Sequence, residues 1–258
     1  MNHIPKKYYI ANWKTYQSIS TIKRFIQASN QEADWHETII NSYIGIAASY
    51  EHLYYLHKKI SKLAMHLGSQ DCSAFLPGAY TGQVSIESLQ DMNISFCLVG
   101  HSEVRAELGQ SDMLISSKFK MLLAANISPI MCIGETLAQK NDGMALQVLY
   151  DQLEHILNFL QSYTGSTKIF IAYEPRYCIG TGIVPSSDDL QKVFCFLKSL
   201  VQQLPIAKNV MFLYGGSVSS KTVQQLHDIK EISGFLIGKA SIDFQELKKI
   251  VQSDGRMV

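Results

Sequence analysis

Ile169-Phe170-Ile171-Ala172-Tyr173-Glu174-Pro175-Arg176-Tyr177-Cys178-Ile179-Gly180-Thr181-Gly182 is the stretch on which the reading of this chain turns. Its first residues are apolar and β-branched, which suits a buried strand. The run ends on one carboxylate, Glu174. Pro175 then forces a turn. The Gly-Thr-Gly that follows bends freely and bares its N–H groups. A carboxylate is thus fixed at a strand end, beside a flap able to hold an anion. A lone glutamate is most often a solvated or ion-paired surface group. The proline and the glycine flap favour a working base at Glu174.

Outward from this stretch the pattern repeats. Apolar, β-rich runs occur near residues 8–11, 43–48, 65–68, 96–99, 130–133, 169–172, 211–214 and 235–237. Between them lie stretches such as 53–62, 146–163 and 190–204, with apolar residues at helical spacing. Strands alternating with helices imply βαβ units and a parallel sheet. Eight right-handed crossovers close a barrel, and a (β/α)8 barrel takes about 250 residues. The expectation is one α/β domain spanning residues 1–258. An open doubly wound sheet is the alternative, but it usually carries a glycine-rich turn after its first strand. Asn12-Trp13-Lys14 stands there instead. The segment 71–83, with Pro77, Gly78 and Gly82, is long for a βα loop and serves as a packing arm or a wall of the site.

Composition excludes several classes. The chain is 47% hydrophobic, enough for a sizeable core, and its formal net charge is +1. No global field draws it to nucleic acid or to a membrane surface. No run approaches the ~18 apolar residues of a membrane span. Residues 1–10, with Lys6 and Lys7, lack the apolar stretch of a signal peptide. We expect a soluble, cytoplasmic protein. The five cysteines are widely spaced with no CxxC, and the eight histidines show no HExxH. This pattern fits reduced thiols, with no metal and no cofactor.

Four further motifs fall at strand ends: Ala11-Asn12-Trp13-Lys14, Gly100-His101-Ser102-Glu103, Cys132-Ile133-Gly134-Glu135 and Tyr214-Gly215-Gly216-Ser217-Val218. The stretch Gly234-Phe235-Leu236-Ile237-Gly238-Lys239-Ala240-Ser241 closes the series. In a parallel barrel these strand ends converge on one mouth. In this order the motifs resemble triosephosphate isomerase along the whole chain. The resemblance implies a TIM barrel, a triose phosphate substrate, and a homodimer clamped by the loop around Thr81. It implies a general base at Glu174 and a neutral imidazole at His101 as hydrogen-bond donor to the carbonyl. Asn12 would assist His101, and Lys14 would stabilise the enediolate. One ammonium ~4 Å from an anion contributes about 4 kcal/mol per unit charge at an effective dielectric of 20. Backbone N–H groups of Gly180, Ser217, Gly238 and Lys239 would hold the phosphate. Trp13 would pack under the mouth, and Cys132 behind the base. A barrel enzyme for a larger sugar phosphate, or a binding protein without chemistry, are the rival functions. The flap and the long third loop argue against the first, and the four catalytic side chains against the second.

The chain also departs from the family. Lys239 stands where a second glycine is usual, and its side chain is expected in solvent. Tyr177 replaces a tryptophan that pairs with the glutamate matching Glu135, a contact a phenol can also make. Gln83 and Val104 replace an interfacial Glu–Arg pair, so assembly should depend little on salt. Pro185 stands where the closed flap offers a backbone N–H to the tyrosine matching Tyr214, and proline has none to give. Closure should therefore rest on Ser217 meeting the amide of Gly182 and on the hinge torsion that Pro185 fixes.

Overall fold

The computed structural model describes residues 7–253. The first six residues, Lys6 among them, and the last five lie outside the described residues, and with them both ends of the domain expected over 1–258. Eight strands run in parallel: β1 Lys7–Asn12, β2 Ser42–Ala48, β3 His66–Ser69, β4 Phe96–Val99, β5 Ser128–Ile133, β6 Ile169–Tyr173, β7 Val210–Tyr214 and β8 Gly234–Ile237. Each pairs with the next in sequence, and β8 returns to β1 with Ala11 opposite Ile237. The sheet is closed, which rules out the open doubly wound alternative.

The two-residue period of a strand sorts its side chains into two cores. Tyr8 and Ile10 of β1 point inward and meet Phe96, Leu98, Phe170 and Leu213 inside the barrel. Tyr9 and Ala11 point outward and pack with Ile44, Ile46, Met131 and Ile171 beneath the helices. Phe96 fills much of the barrel floor. A Cβ on Gly68 would lie 2.2 Å from its ring, and one on Gly45 would lie 2.6 Å away. Those two glycines are the space that one large ring occupies.

The helices cover the outer face by their apolar stripe. In the helix Ala145–Leu160, residues Leu149, Leu153, Ile156, Leu157 and Leu160 are buried, at helical spacing. Each such side chain contributes about 1.5–3 kcal/mol by leaving water. The helix Ser187–Val201 starts three residues earlier than its apolar pattern suggests, because Ser186 caps it by accepting from the Asp189 N–H at 3.1 Å. It stops before Leu204, whose helical conformation Pro205 disfavours. The helix expected over 53–62 is instead a short helix, Tyr50–Leu56, followed by a 3-10 turn, Ile60–Leu63. Bonds of the i to i+3 type, from Lys59 to Leu56 and from Lys62 to Lys59, tighten this segment so that Ile60 and Leu63 both reach the core.

The long segment after β3 is an arm. Its base is pinned where Lys118, a fully buried cation, binds both oxygens of Asp71 at 2.7 Å, and Gln110 adds a third bond. Ser73 and Val84 close its neck at 2.8 Å. The tip carries Phe75 and Tyr80, exposed and stacked on each other at 4.4 Å.

Candidate active site

Glu174 is the residue after β6, and the ladder fixes its backbone: its N–H donates to Ile133 O at 2.7 Å. The side chain is buried in a cradle. A Cβ on Gly215 would lie 2.6 Å from Glu174 Cγ, so glycine at that position gives the carboxylate its room. Glu174 Oε1 lies 3.3 Å from His101 Nε2. Glu174 Oε2 is buried and makes no hydrogen bond among the described residues. Cys132 lies beside Glu174. Burial first, and the neighbouring Glu174 charge second, push its thiol pKa well up, so it stays neutral.

His101 caps the helix Ser102–Ala106, and its Nδ1 accepts the Glu103 N–H at 3.3 Å. Only an unprotonated Nδ1 can accept, so this contact assigns the ring proton to Nε2, facing the mouth. Burial works against an imidazolium. The Glu174 carboxylate, with Glu103 after it, outweighs burial and raises the His101 pKa. A proton on Glu174 would remove the charge that raises the His101 pKa, and the backbone contact favours the neutral ring.

Lys14 sits just past β1 in a left-handed conformation, with φ of 48°. Such a backbone is strained for a residue with a side chain, and the surroundings over-determine it. Its N–H donates to Asn12 Oδ1 at 3.1 Å, and Gln70 donates to its carbonyl at 2.9 Å. The ammonium then reaches Glu103 Oε1 at 2.6 Å. Trp13 is buried below, donating to Ser241 O at 3.1 Å.

The opposite half of the mouth is backbone. A cavity of about 550 Å³ opens at the strand ends, and its walls include Asn12, Lys14, His101, Glu174, Gly180, Ser217, Gly238 and Lys239. All eight residues singled out from the sequence thus meet in one place. Among the described residues, the N–H groups of Gly180, Ser217, Gly238 and Lys239 donate no hydrogen bond. Four free donors around one cavity favour an anion. The Lys239 side chain is exposed.

The flap is latched. Ser217 Oγ accepts the Gly182 N–H at 2.9 Å and donates to Cys178 O. The Tyr214 hydroxyl is buried and has no partner among the described residues, as Pro185 leads one to expect. The contact suggested between Tyr177 and Glu135 is not formed. Glu135 Oε1 accepts from the Tyr173 hydroxyl at 3.0 Å, while the Tyr177 hydroxyl accepts from Lys140 Nζ at 2.9 Å. Lys140 Nζ also lies 4.9 Å from the centre of the phenol ring, so the phenol is engaged by the ammonium while Glu135 is engaged by Tyr173.

Sequence reasoning missed Gln70, Gly215 and Leu236, which shape the mouth. Gly215 carried a signal, a Gly-Gly directly after a strand. Gln70 carried only its position one residue past β3.

A closed barrel with an acid–base pair at the strand ends, under a glycine flap, marks a (β/α)8-barrel enzyme. The family model for triosephosphate isomerase matches residues 7–254. The chain is 34% identical over 250 residues to the triosephosphate isomerase of Buchnera aphidicola subsp. Baizongia pistaciae, covering 96% of this chain and 99% of that one. It is 35% identical over 246 residues to that of Aquifex aeolicus, covering 94% and 97%. To that of Mycoplasmoides gallisepticum it is 34% identical over 252 residues, covering 96% and 98%. The chain belongs to the triosephosphate isomerase family.

Proposed function

We propose that the chain interconverts dihydroxyacetone phosphate and D-glyceraldehyde 3-phosphate, in glycolysis and gluconeogenesis. The observation that carries this reading is the buried Glu174–His101 pair, 3.3 Å apart, facing unpaired backbone donors across one cavity. The donors at Gly180, Ser217, Gly238 and Lys239 bind the substrate phosphate. Asn12 and Lys14 also touch the substrate. The Glu174 carboxylate takes a proton from the carbon next to the carbonyl. The electron pair passes to the carbonyl oxygen and gives an enediolate. The His101 Nε2–H and the Asn12 amide stabilise that oxygen, and the Lys14 ammonium balances its charge. The proton of the neighbouring hydroxyl passes to that oxygen by way of His101, Glu174 returns its own proton to the former carbonyl carbon, and the carbonyl re-forms on the carbon that first lost a proton. No metal and no cofactor take part. The latched flap keeps water out while the enediolate exists.

A homodimer through the loop around Thr81 is part of the proposal. The exposed Phe75, Leu76 and Tyr80 on that arm support it, as does a cavity of about 260 Å³ beside Lys14, lined by Tyr16, Gln70 and Val104, that suits an inserted loop tip. A cytoplasmic location is proposed too. The buried, unpaired Cys72, Cys97, Cys132 and Cys178 support a reducing compartment. Among the described residues no helix is long and apolar enough to cross a membrane.

The test is a coupled isomerase assay in both directions on the pure protein, beside a panel of longer sugar phosphates. Turnover of the trioses alone supports the reading, and turnover of a longer sugar phosphate alone removes it. Sedimentation at low and high salt tests the dimer, with a monomer at micromolar concentration as the contrary result.

A further inference from the structure

The flap leaves the barrel through the 3-10 turn Arg176–Cys178 and returns into the helix Ser187–Val201. Its two flanks are gripped differently. On one flank Ser217 holds the Gly182 amide, and the second grip available there, the Tyr214 hydroxyl, holds nothing among the described residues. On the other flank stands Lys140, on the short helix Leu137–Asn141 after β5. Its ammonium donates to the Tyr177 hydroxyl at 2.9 Å and to Asp189 Oδ2 at 3.2 Å. It also lies 4.9 Å from the centre of the Tyr177 ring.

The placement of these partners matters more than their number. Tyr177 is where the chain enters the flap. Asp189 is in the first turn after the flap, and the Ser186 cap holds its backbone. One cation from a third element therefore ties entry to exit. An exposed ion pair alone contributes little. Here the same ammonium also makes a charge-assisted bond to a half-buried phenol and a cation–ring contact. Its pKa is raised, first by the bond to Tyr177 and then by Asp189, so it stays charged throughout the neutral range. Fixing both ends of a short loop removes open conformations from its ensemble.

We propose that Lys140 is a positioning residue that keeps the flap closed over the substrate by clasping Tyr177 to Asp189, in place of the latch that Tyr214 does not make. The inference rests on the isomerase reading for its catalytic consequence, but not for its effect on the flap itself.

The flap can be read without turnover. Hydrogen exchange of the peptide spanning 177–184, followed by mass spectrometry, reports how often the flap opens. Lys140→Met keeps the aliphatic stem and removes the ammonium, whereas Lys140→Arg keeps the charge and the donors. We expect Lys140→Met to speed exchange in that peptide roughly three- to tenfold. It should lower kcat/KM for triose phosphate by a similar factor and weaken 2-phosphoglycolate binding. It should also raise the inorganic phosphate released per turnover. In that leak the enediolate oxygen re-forms a carbonyl, and the C–O bond to phosphate breaks. Phosphate leaves with the electron pair, and the remaining enol tautomerises to methylglyoxal. Lys140→Arg should restore each readout to within about twofold. A Lys140→Met protein that melts lower but keeps wild-type exchange, affinity and phosphate leak overturns the proposal, because the residue is then merely structural. If the wild type fails to isomerise trioses, the functional reading falls and exchange alone decides the clasp. If the wild type turns over and Lys140→Met matches it throughout, the clasp falls and the function stands.

Discussion

The mouth of this barrel has two halves made of different material. On the β1, β4 and β6 side the working groups are side chains: Asn12, Lys14, His101 and Glu174. On the β7, β8 and flap side they are backbone N–H groups of Gly180, Ser217, Gly238 and Lys239. Side chains supply protons and charge, and each can be removed without moving the chain. Backbone donors supply charge complementarity alone, and a substitution reaches them only by changing the conformation that aims them. The non-glycine Lys239 illustrates the second case: its side chain turns to solvent while its amide stays on the cavity wall. The proposed division is therefore chemistry on one side and grip on the other.

The sharpest way to break that division is Glu174→Gln. The amide keeps size and loses the base. We expect kcat to fall by about 10²–10⁴-fold. Binding of 2-phosphoglycolate, measured by calorimetry, should hold, because the donors on the other half are untouched. More than about a tenth of wild-type kcat would remove Glu174 from the role of base.

Gly215→Ala probes the seam between the halves. Its new Cβ would sit 2.6 Å from Glu174 Cγ and push the carboxylate aside. A misplacement of this order costs about 10²-fold. Steady-state kinetics should show the loss in kcat, with KM changed much less. An unchanged kcat would mean that Glu174 finds a second productive position.

A smaller effect separates the two candidate latches. Ser217→Ala removes two bonds to the flap, one from the Gly182 N–H at 2.9 Å and one to Cys178 O, each about 0.5–1.5 kcal/mol for an ordinary neutral bond. Tyr214→Phe removes a hydroxyl that bonds nothing among the described residues. We expect kcat/KM to fall several-fold in the first variant and by less than about twofold in the second. An equal or larger fall for Tyr214→Phe would show that the hydroxyl has another partner in the catalytic cycle.

The smallest effect concerns stability against pH. Burial raises the Glu135 pKa above the ordinary 4.5, and its Oε2 has no partner among the described residues. The folded protein therefore keeps a proton that the unfolded chain releases. This contribution is complete below pH 4.5 and is lost as pH rises through the folded pKa. Glu135→Gln keeps an acceptor for Tyr173 and abolishes the titration. Its melting temperature should gain on the wild type above that window and match it below. Melting curves from pH 4 to 8 that run parallel for the two proteins would contradict this.

Legibility followed the same division. Glu174, His101 and Lys14 could be found in the sequence because their chemistry is uncommon at the end of an apolar run. The closed barrel could be found because strand and helix periods alternate eight times. Ser217 and Gly180 were visible only through the glycines around them. Gln70, which steadies Lys14 from 56 positions away, left no trace, since one glutamine after a strand looks like any other. Lys140 was equally silent, because it meets Tyr177 across 37 positions and Asp189 across 49. The break at residues 57–59 was hidden because a 3-10 turn and an α-helix share nearly the same apolar spacing.

One detail of the barrel floor bears on how this sequence can drift. Phe96 occupies the volume that side chains at Gly45 and Gly68 would need, and those residues belong to β2, β3 and β4. Three neighbouring strands thus share a single packing allotment. A methyl gained at position 68 clashes unless the ring at 96 shrinks, and a smaller residue at 96 leaves a void unless a glycine grows. Either step alone is a loss, whereas the paired step conserves volume. Volume-neutral change at the floor therefore calls for correlated replacements on neighbouring strands.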